Sequence, residues 1–567
     1  MAQTAEINKS KKLTRNLFFL IISLVLVNII AYKVYTQVDL TSDKRFTTTD
    51  ATKNLLKSID EPLKITVFLT GNDMPAAFQR LSKSTIDVLQ NFKNLSNNKI
   101  QIVVADPNGD DSTVFQTIVD YRMEGIPVTI DAGKKGTQQK MLFPWVLVEN
   151  TQSNNAIPVF IQETNAPKLS RTILNKSEML LEFNIANAIQ QILKKERETV
   201  VFLTGNHQDL GYNYISAVSV AGSQYMIDTL NIKMASHIPE QVDVVIVSSP
   251  YEAFSEVEKY KLDQYMMRGG NVMFLLNQAT GNLDSFRNGG NYNVLPVDLN
   301  LSDLLFHYGV RVNNNLLADA TKSEMIPLSK SGKAEESVLM PWQYFPILEC
   351  NNDHPITKNL DGVLARFASS IDVVEQDETI RKKILLSTSK YSKVIPLPAP
   401  LTLTEALIEP NIATYTKSNL PVAVLLEGVF SSFYAKRKPE EVQNLIQTHN
   451  LADVAKATKS GKILVVSDGD VIYNDLSPQG PLEMGQYKYG GYKYDNKSFF
   501  SNALIYLSNP NNLLEARGKT YVNRILDPQR VQQERTMWQM INIGLPSLVI
   551  IVFGLIWTFI RKRKYTH

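Results

Sequence analysis

The chain has 567 residues, 44% hydrophobic and 20% charged, an ordinary globular composition with material for three or four folding units at about 150 residues each. Its net charge of +3 is unevenly placed: residues 1–16 carry +3 and residues 561–567 carry +4, which leaves the long middle at −4. A mildly acidic middle lacks the concentrated basic face that nucleic acid requires, and a single cysteine, Cys350, excludes an intramolecular disulfide.

Leu17–Tyr35 (LFFLIISLVLVNIIAYKVY) is long enough for a hydrocarbon core of about 30 Å, at about 1.5 Å per helical residue. No A-x-A-like site follows it, so it reads as an uncleaved anchor and not as a signal peptide. Ile541–Ile560 (INIGLPSLVIIVFGLIWTFI) is a second span, closed by Arg561-Lys562-Arg563-Lys564. Basic residues mark the cytoplasmic side of a span. Both tails, 1–16 and 561–567, are therefore expected in the cytoplasm, with the bulk of the chain on the far side of the membrane.

Between the spans, Lys64–Thr70 (KITVFLT) reads as a strand stopped by Gly71-Asn72, and a helical stretch near Phe78–Phe92 leads to a strand at Lys99–Ala105. Strand–helix–strand alternation predicts a parallel α/β layer. The phrase VFLTGN occurs at Val67–Asn72 and again at Val201–Asn206, as if two units share a first strand and turn. In the second, Val242–Ser248 and Asn271–Leu276 are near-continuous apolar runs, expected of strands covered on both faces. The helix between them opens on a Ser255/Glu258 capping box, carries Phe254, Val257, Leu262 and Tyr265 on one face, and stops at Gly269-Gly270. Val422–Leu426, Lys462–Ser467 and a helix at Phe499–Leu507 complete it.

The predicted fold is thus two extracytoplasmic α/β domains, doubly wound and amidotransferase-like, at 36–195 and 196–510. The second holds an irregular, partly β insertion at about 320–420. A juxtamembrane segment, 511–540, leads into the second span.

Catalytic and nucleotide signatures are missing. The sequence has no Gly-rich dinucleotide turn, no phosphate-binding P-loop and no nucleophile elbow; Ala132–Thr137 (AGKKGT) lacks P-loop spacing and reads as a hairpin turn. The six histidines stand without a second ligand type at metal spacing, and Cys350 reads as a structural thiol. No enzyme activity, cofactor or metal is expected. Contacts to a ligand or partner are sought instead at Asn206, His207 and Gln208, in the turn after a strand, and at Asp468 and Asp470, where α/β sheets place ligands. A third group is the ring-rich loop of Tyr487, Tyr489, Tyr492 and Tyr494, a composition suited to glycan. Trp538, Met540 and Pro546 are candidate contacts for a membrane partner.

Several phrases in order carry a resemblance over nearly the whole chain. They include DLTSDKRFT, LFPWVLVE (Leu142–Glu149), LNKSEMLLEFNIANAI (Leu174–Ile189), VFLTGNHQDL, KLDQYMMRGGNVMFLL, LLFHYGVRVNNNLLAD, PWQYFPIL and KSFFSNALIYL. The chain resembles the gliding-motility-associated GldG proteins, described as substrate-binding or auxiliary components of an ABC transporter. This chain has Gly205-Asn206-His207-Gln208 where that family commonly shows a G-H-G-E-like phrase, so an acidic side chain is absent. The resemblance implies a polytopic permease and a cytoplasmic ATPase as partners, and a non-enzymatic accessory role in gliding motility. The alternative is an extracytoplasmic binding module for an envelope polymer or a secretion-machinery protein, with no transport role.

Overall fold

The computed structural model describes residues 19–25, 47–71, 74–131, 137–153, 155–163, 170–194, 196–208, 210–286, 291–329, 337–375, 378–508, 513–517 and 528–565. The chain divides into two compact units, Met1–Lys519 and Thr520–His567. Of the first predicted span only 19–25 are described, and they are helical and exposed; the cytoplasmic tail 1–16 and most of the Ala132–Thr137 turn fall outside the described residues.

The early part of the first unit holds a four-stranded sheet in the order Ile100–Val104, Leu63–Val67, Trp145–Asn150, Asn155–Phe160. The first pair is parallel, as the strand–helix–strand reading requires, with helix Ala76–Leu95 as the crossover. The other two pairings are antiparallel: Trp145–Asn150 runs against Leu63–Val67 on one side and against Asn155–Phe160, next in the chain, on the other. Helix Arg171–Leu193 packs on this sheet through Leu181, Ile185 and Ile189.

A ten-stranded sheet follows. Five parallel strands stand in the spatial order Met226–Asn231, Thr199–Thr204, Val242–Ser248, Asn271–Leu275, Gly461–Val466. Helices cover both faces of this half. Val244 and Ile246 meet one core with helices Ile215–Gly222 and Asn496–Ser508. Val245 and Val247 meet the other with helices Glu256–Met267 and Ser302–Tyr308. Double coverage explains the continuous apolar runs, each buried side chain contributing about 1.5–3 kcal/mol.

The 320–420 region is more regular than its Pro- and Asn-rich composition implies. Ser323–Ser329, Ser337–Cys350 and Arg381–Ser387 extend the same sheet antiparallel beyond Pro421–Gly428. These three strands are paired into the main ladder, while Ile371–Val373, Ser392–Pro396 and Ala399–Thr402 form separate two-stranded pairings.

Helix Glu256–Met267 has the capping box at Ser255 and Glu258, and Gly269 takes φ +94° just past its end. It differs from expectation in being covered on both sides. Tyr260 packs on Tyr434 and Val442, beneath helix Glu440–His449. The polar side chains this buries are all paired. Lys259 Nζ reaches Asp303 at 2.9 Å, Lys261 Nζ donates to the Ile232 carbonyl at 2.8 Å, and Asp263 accepts from Tyr308, Ser432 and the Phe433 N–H.

Among the described residues the second unit contains one helix, Pro528–Tyr565, with Pro546 inside it. Among the described residues its segment Glu534–Arg563 is the one helix long and apolar enough to cross a membrane, and its apolar side chains are exposed.

Candidate functional site at the carboxyl edge of the parallel strands

Four of the parallel strands end side by side, and the loops that follow them hold most of the polar candidates. Gly205 turns the first loop with φ +120°, and its counterpart in the repeated phrase, Gly71, has φ +126°. A side chain at Gly205 would also press on Asn231, so this turn requires glycine.

Asn206 is fully buried. Its Nδ2 donates to Glu258 Oε2 at 2.9 Å, and its carbonyl accepts from the Tyr251 N–H at 3.0 Å. Glu258 Oε2 also accepts from the Ser255 N–H. Asn206 therefore ties the turn to the capping box of the next helix. His207, at φ +58°, is exposed and lies 2.7 Å from Glu252. Gln208 is half-buried and accepts from the Asn206 N–H at 2.7 Å.

Asp468 caps the short turn Gly469–Ile472. Its carboxylate accepts from the Asp470 N–H at 2.8 Å and the Arg366 N–H at 2.6 Å. Burial pushes the Asp468 carboxyl well above the usual carboxylate range, and Asp470 beside it adds to the rise. Asp470 is raised by burial too, against the opposing pull of the Arg366 guanidinium. Asn277 Nδ2 faces Asp470 at 3.4 Å. Arg366 itself donates to Asp475 at 2.9 Å, with its guanidinium between the rings of Tyr473, Tyr487 and Phe345.

The four tyrosines of the ring-rich loop part company. Tyr487 and Tyr494 enter the core with Trp342 and Phe345, Tyr489 is half-buried against Tyr487, and Tyr492 is 55% exposed. They do not form one exposed aromatic platform. Trp538 and Met540 are exposed on the Pro528–Tyr565 helix, where Trp538 Nε1 donates to Glu534 at 3.0 Å. Cys350 is half-buried, and burial pushes its thiol up to about 12, which suits a structural thiol and not a nucleophile. Among the described residues no group of three His, Cys, Asp or Glu side chains is arranged to hold a metal ion.

Sequence reasoning did not find Tyr214, Ser249, Tyr251, Asn277, Arg366 or Tyr473, which surround Asp470. Ser249 and Tyr251 share one loop, the others come from separate stretches, and no spacing in the chain connects those stretches.

A mixed α/β body with an apolar helix in its terminal unit is the class of protein these features define. Residues 197–503 match the family described as an ABC-type uncharacterized transport system, and with more than half the chain covered, the protein belongs to that family. It has an accessory place in an ABC-type transport system. Residues 42–149 match a domain of unknown function (DUF7088). The chain is similar to an uncharacterized protein of Borreliella burgdorferi, with 22% identity over 98% of this chain and 99% of the relative. Among solved structures it is similar to the mmIFT52 N-terminal domain, at 15% identity and a TM-score of 0.32, over 55% of this chain and 97% of that one.

Proposed function

We propose that the chain is a non-enzymatic subunit anchored in the bacterial inner membrane by two spans, holding its outer body, residues 36–510, beside a polytopic permease that works with a cytoplasmic ATPase. Membership of the transport family supports the partners. The observation that supports the anchoring is where the chain enters and leaves the packed cluster around helix Arg171–Leu193. Thr49 N and Oγ both donate to Glu182 at 2.8 Å, fixing the entry to helix Arg171–Leu193. Leu513, Leu514 and Ala516 are buried in the same cluster as Leu56, Leu181 and Ile185, and Arg517 lies 5.5 Å over the Phe183 ring. Entry and exit thus share one helix. Two tethers starting from one place can both reach one membrane surface, and tethering keeps the body at high effective concentration beside its partner.

Within this reading the spans are 17–35 and 541–560, both tails are cytoplasmic, and 36–195 and 196–510 are two α/β domains. A role in gliding motility, as in the GldG proteins, is supported by the resemblance of the quoted phrases.

The terminal span is the proposed grip on the permease, through Trp538, Met540 and the Pro546 region. Replacing Ile541–Ile560 by an unrelated spanning helix of equal length is expected to release the permease while the chain stays in the membrane. Blue-native electrophoresis of detergent extracts reads this directly. An unchanged complex after the swap would remove the span from the contact.

A further inference from the structure

A cleft of about 560 Å³ opens beside helix Ser302–Tyr308, away from the carboxyl edge of the parallel strands. It is lined by Ser302, Asp303, Phe306, His307, Arg311 and Phe433. Local structure explains this lining. Leu304, Leu305 and Tyr308 turn one side of the helix into the core, so Asp303, Phe306 and His307 stand on the other. Gly309, at φ +107°, ends the helix, and strand Val310–Val312 then buries both valines and leaves Arg311 outward. Clefts of about 300–1,000 Å³ with apolar walls and a few polar groups are the usual form of a small-molecule site.

Buried charges hold two of the walls from behind. The Lys259 side chain has no exposure and lies between Glu256 and Asp303, with Nζ 2.9 Å from Asp303 Oδ2. Asp263, also fully buried, accepts the Phe433 N–H at 2.8 Å. Phe433 in turn meets the His307 ring edge to face, with centroids 5.6 Å apart. Phe306 is 39% exposed, an apolar ring left facing water. The lining is thus fixed in place before any ligand arrives, which lowers the entropy lost on binding.

Hydrogen-bonding capacity of both kinds is left over. Glu256 and Asp303 share the one ammonium of Lys259, so negative charge is in surplus there, and the Asp303 side chain is 47% exposed. His307 Nε2 lies 2.9 Å from the Ser431 carbonyl. A carbonyl only accepts, so Nε2 carries the proton and Nδ1 of the neutral ring presents a lone pair. Arg311 donates through Nε to Asn313 and through Nη2 to Asp372, which uses two of the five N–H groups of a guanidinium. Its side chain is 56% exposed, and its pair with Asp372 is of the weak surface kind. One cleft therefore offers acceptors for an ammonium, donors for a carboxylate, and aromatic rings.

We propose that this cleft binds a zwitterionic amino acid with an aromatic side chain. Its ammonium meets Asp303 and His307 Nδ1, its carboxylate meets Arg311, and its ring lies against Phe306 and Phe433. Arginine suits a carboxylate because its fork can donate two parallel hydrogen bonds. Ring against ring adds to the area buried. The inference rests on none of the transporter reading: binding does not need a permease, and a permease complex does not need the ligand.

The probe is L-phenylalanine, titrated calorimetrically into the purified full-length chain in detergent. Glycine lacks the ring, 3-phenylpropionate the ammonium and 2-phenylethylamine the carboxylate. Saturable binding of L-phenylalanine is expected, with each of the three bound about tenfold more weakly or worse, as loss of a charged hydrogen bond or a buried ring predicts. Arg311→Gln should weaken L-phenylalanine about tenfold and leave 2-phenylethylamine unchanged, a split that a merely structural effect would not give. Phe306→Ala, at an exposed ring, should weaken both severalfold and keeps the test decisive if Arg311→Gln does not fold. No saturable binding of L-phenylalanine, equal binding of the three analogues, or an unchanged affinity in the folded variants would overturn the proposal.

Discussion

Arg366→Met is expected to lower the stability of the first unit by about 3–5 kcal/mol, the usual cost of removing one partner from a buried ion pair. The Arg366 side chain is 13% exposed and that of Asp475 is 6% exposed, so the carboxylate left behind has little access to water. Methionine keeps much of the volume between the Tyr473, Tyr487 and Phe345 rings, which isolates the electrostatic loss from a cavity. Arg366→Lys keeps the charge but not the planar group that lies against the rings, and should cost less than the methionine variant. Urea unfolding of membrane-extracted protein, compared at the midpoint, measures the order. Equal midpoints for wild type and Arg366→Met would show that the pair contributes nothing net.

Acid should weaken the fold through His354. Its imidazole is buried, with its ring 4.8 Å from that of Tyr506 and Nδ1 accepting from the Ile356 N–H. Burial, with Lys383 and Lys462 nearby, lowers its pKa to about 4, against 6.5 for an ordinary histidine. Between those values the unfolded chain binds a proton that the folded chain does not. This contribution is complete above about pH 6.5 and is lost as pH falls toward 4, about 3 kcal/mol in all. Asp468 and Asp470 act in the opposite sense. Their carboxyls are raised on folding, so they favour the folded state as pH falls. The test is therefore a difference between proteins. His354→Asn keeps a side-chain acceptor for the Ile356 N–H but cannot titrate, and its stability should change less steeply than the wild type between pH 6.5 and 4. Parallel pH profiles would assign the acid sensitivity elsewhere.

What could be read from the chain was local. The Ser255/Glu258 box, the Gly269 stop and the buried strands at Val242–Ser248 and Lys462–Ser467 follow from neighbours in sequence, and the structure places them within a residue or two. The 320–420 region was harder, because its strands are stabilised by partners far along the chain. Arg381–Ser387 pairs with Pro421–Gly428, and Ser337–Cys350 pairs with Arg381–Ser387. Composition read as irregular became ladder once those partners were present.

The same distinction governs the site. Asp468 and Asp470 stand out beside a strand end, but Arg366 lies about a hundred residues earlier in an unremarkable stretch, and Ser249 and Asn277 look like ordinary turn residues. Their meeting depends on strand order, which no local pattern encodes. Tyr487 and Tyr494 show the converse. Alternating tyrosines around Gly490-Gly491 suggest rings offered to a glycan, whereas the fold gives two of them to the core, one against Arg366 and one against Tyr492.

The central claim is the anchored accessory role, and co-purification tests it most directly. The C-terminus would be tagged, membranes extracted in mild detergent, and proteins recovered at near-equal stoichiometry identified by mass spectrometry. The account predicts a polytopic permease together with an ATPase. Recovery of the chain alone, or with envelope glycan or secretion components in their place, would contradict it.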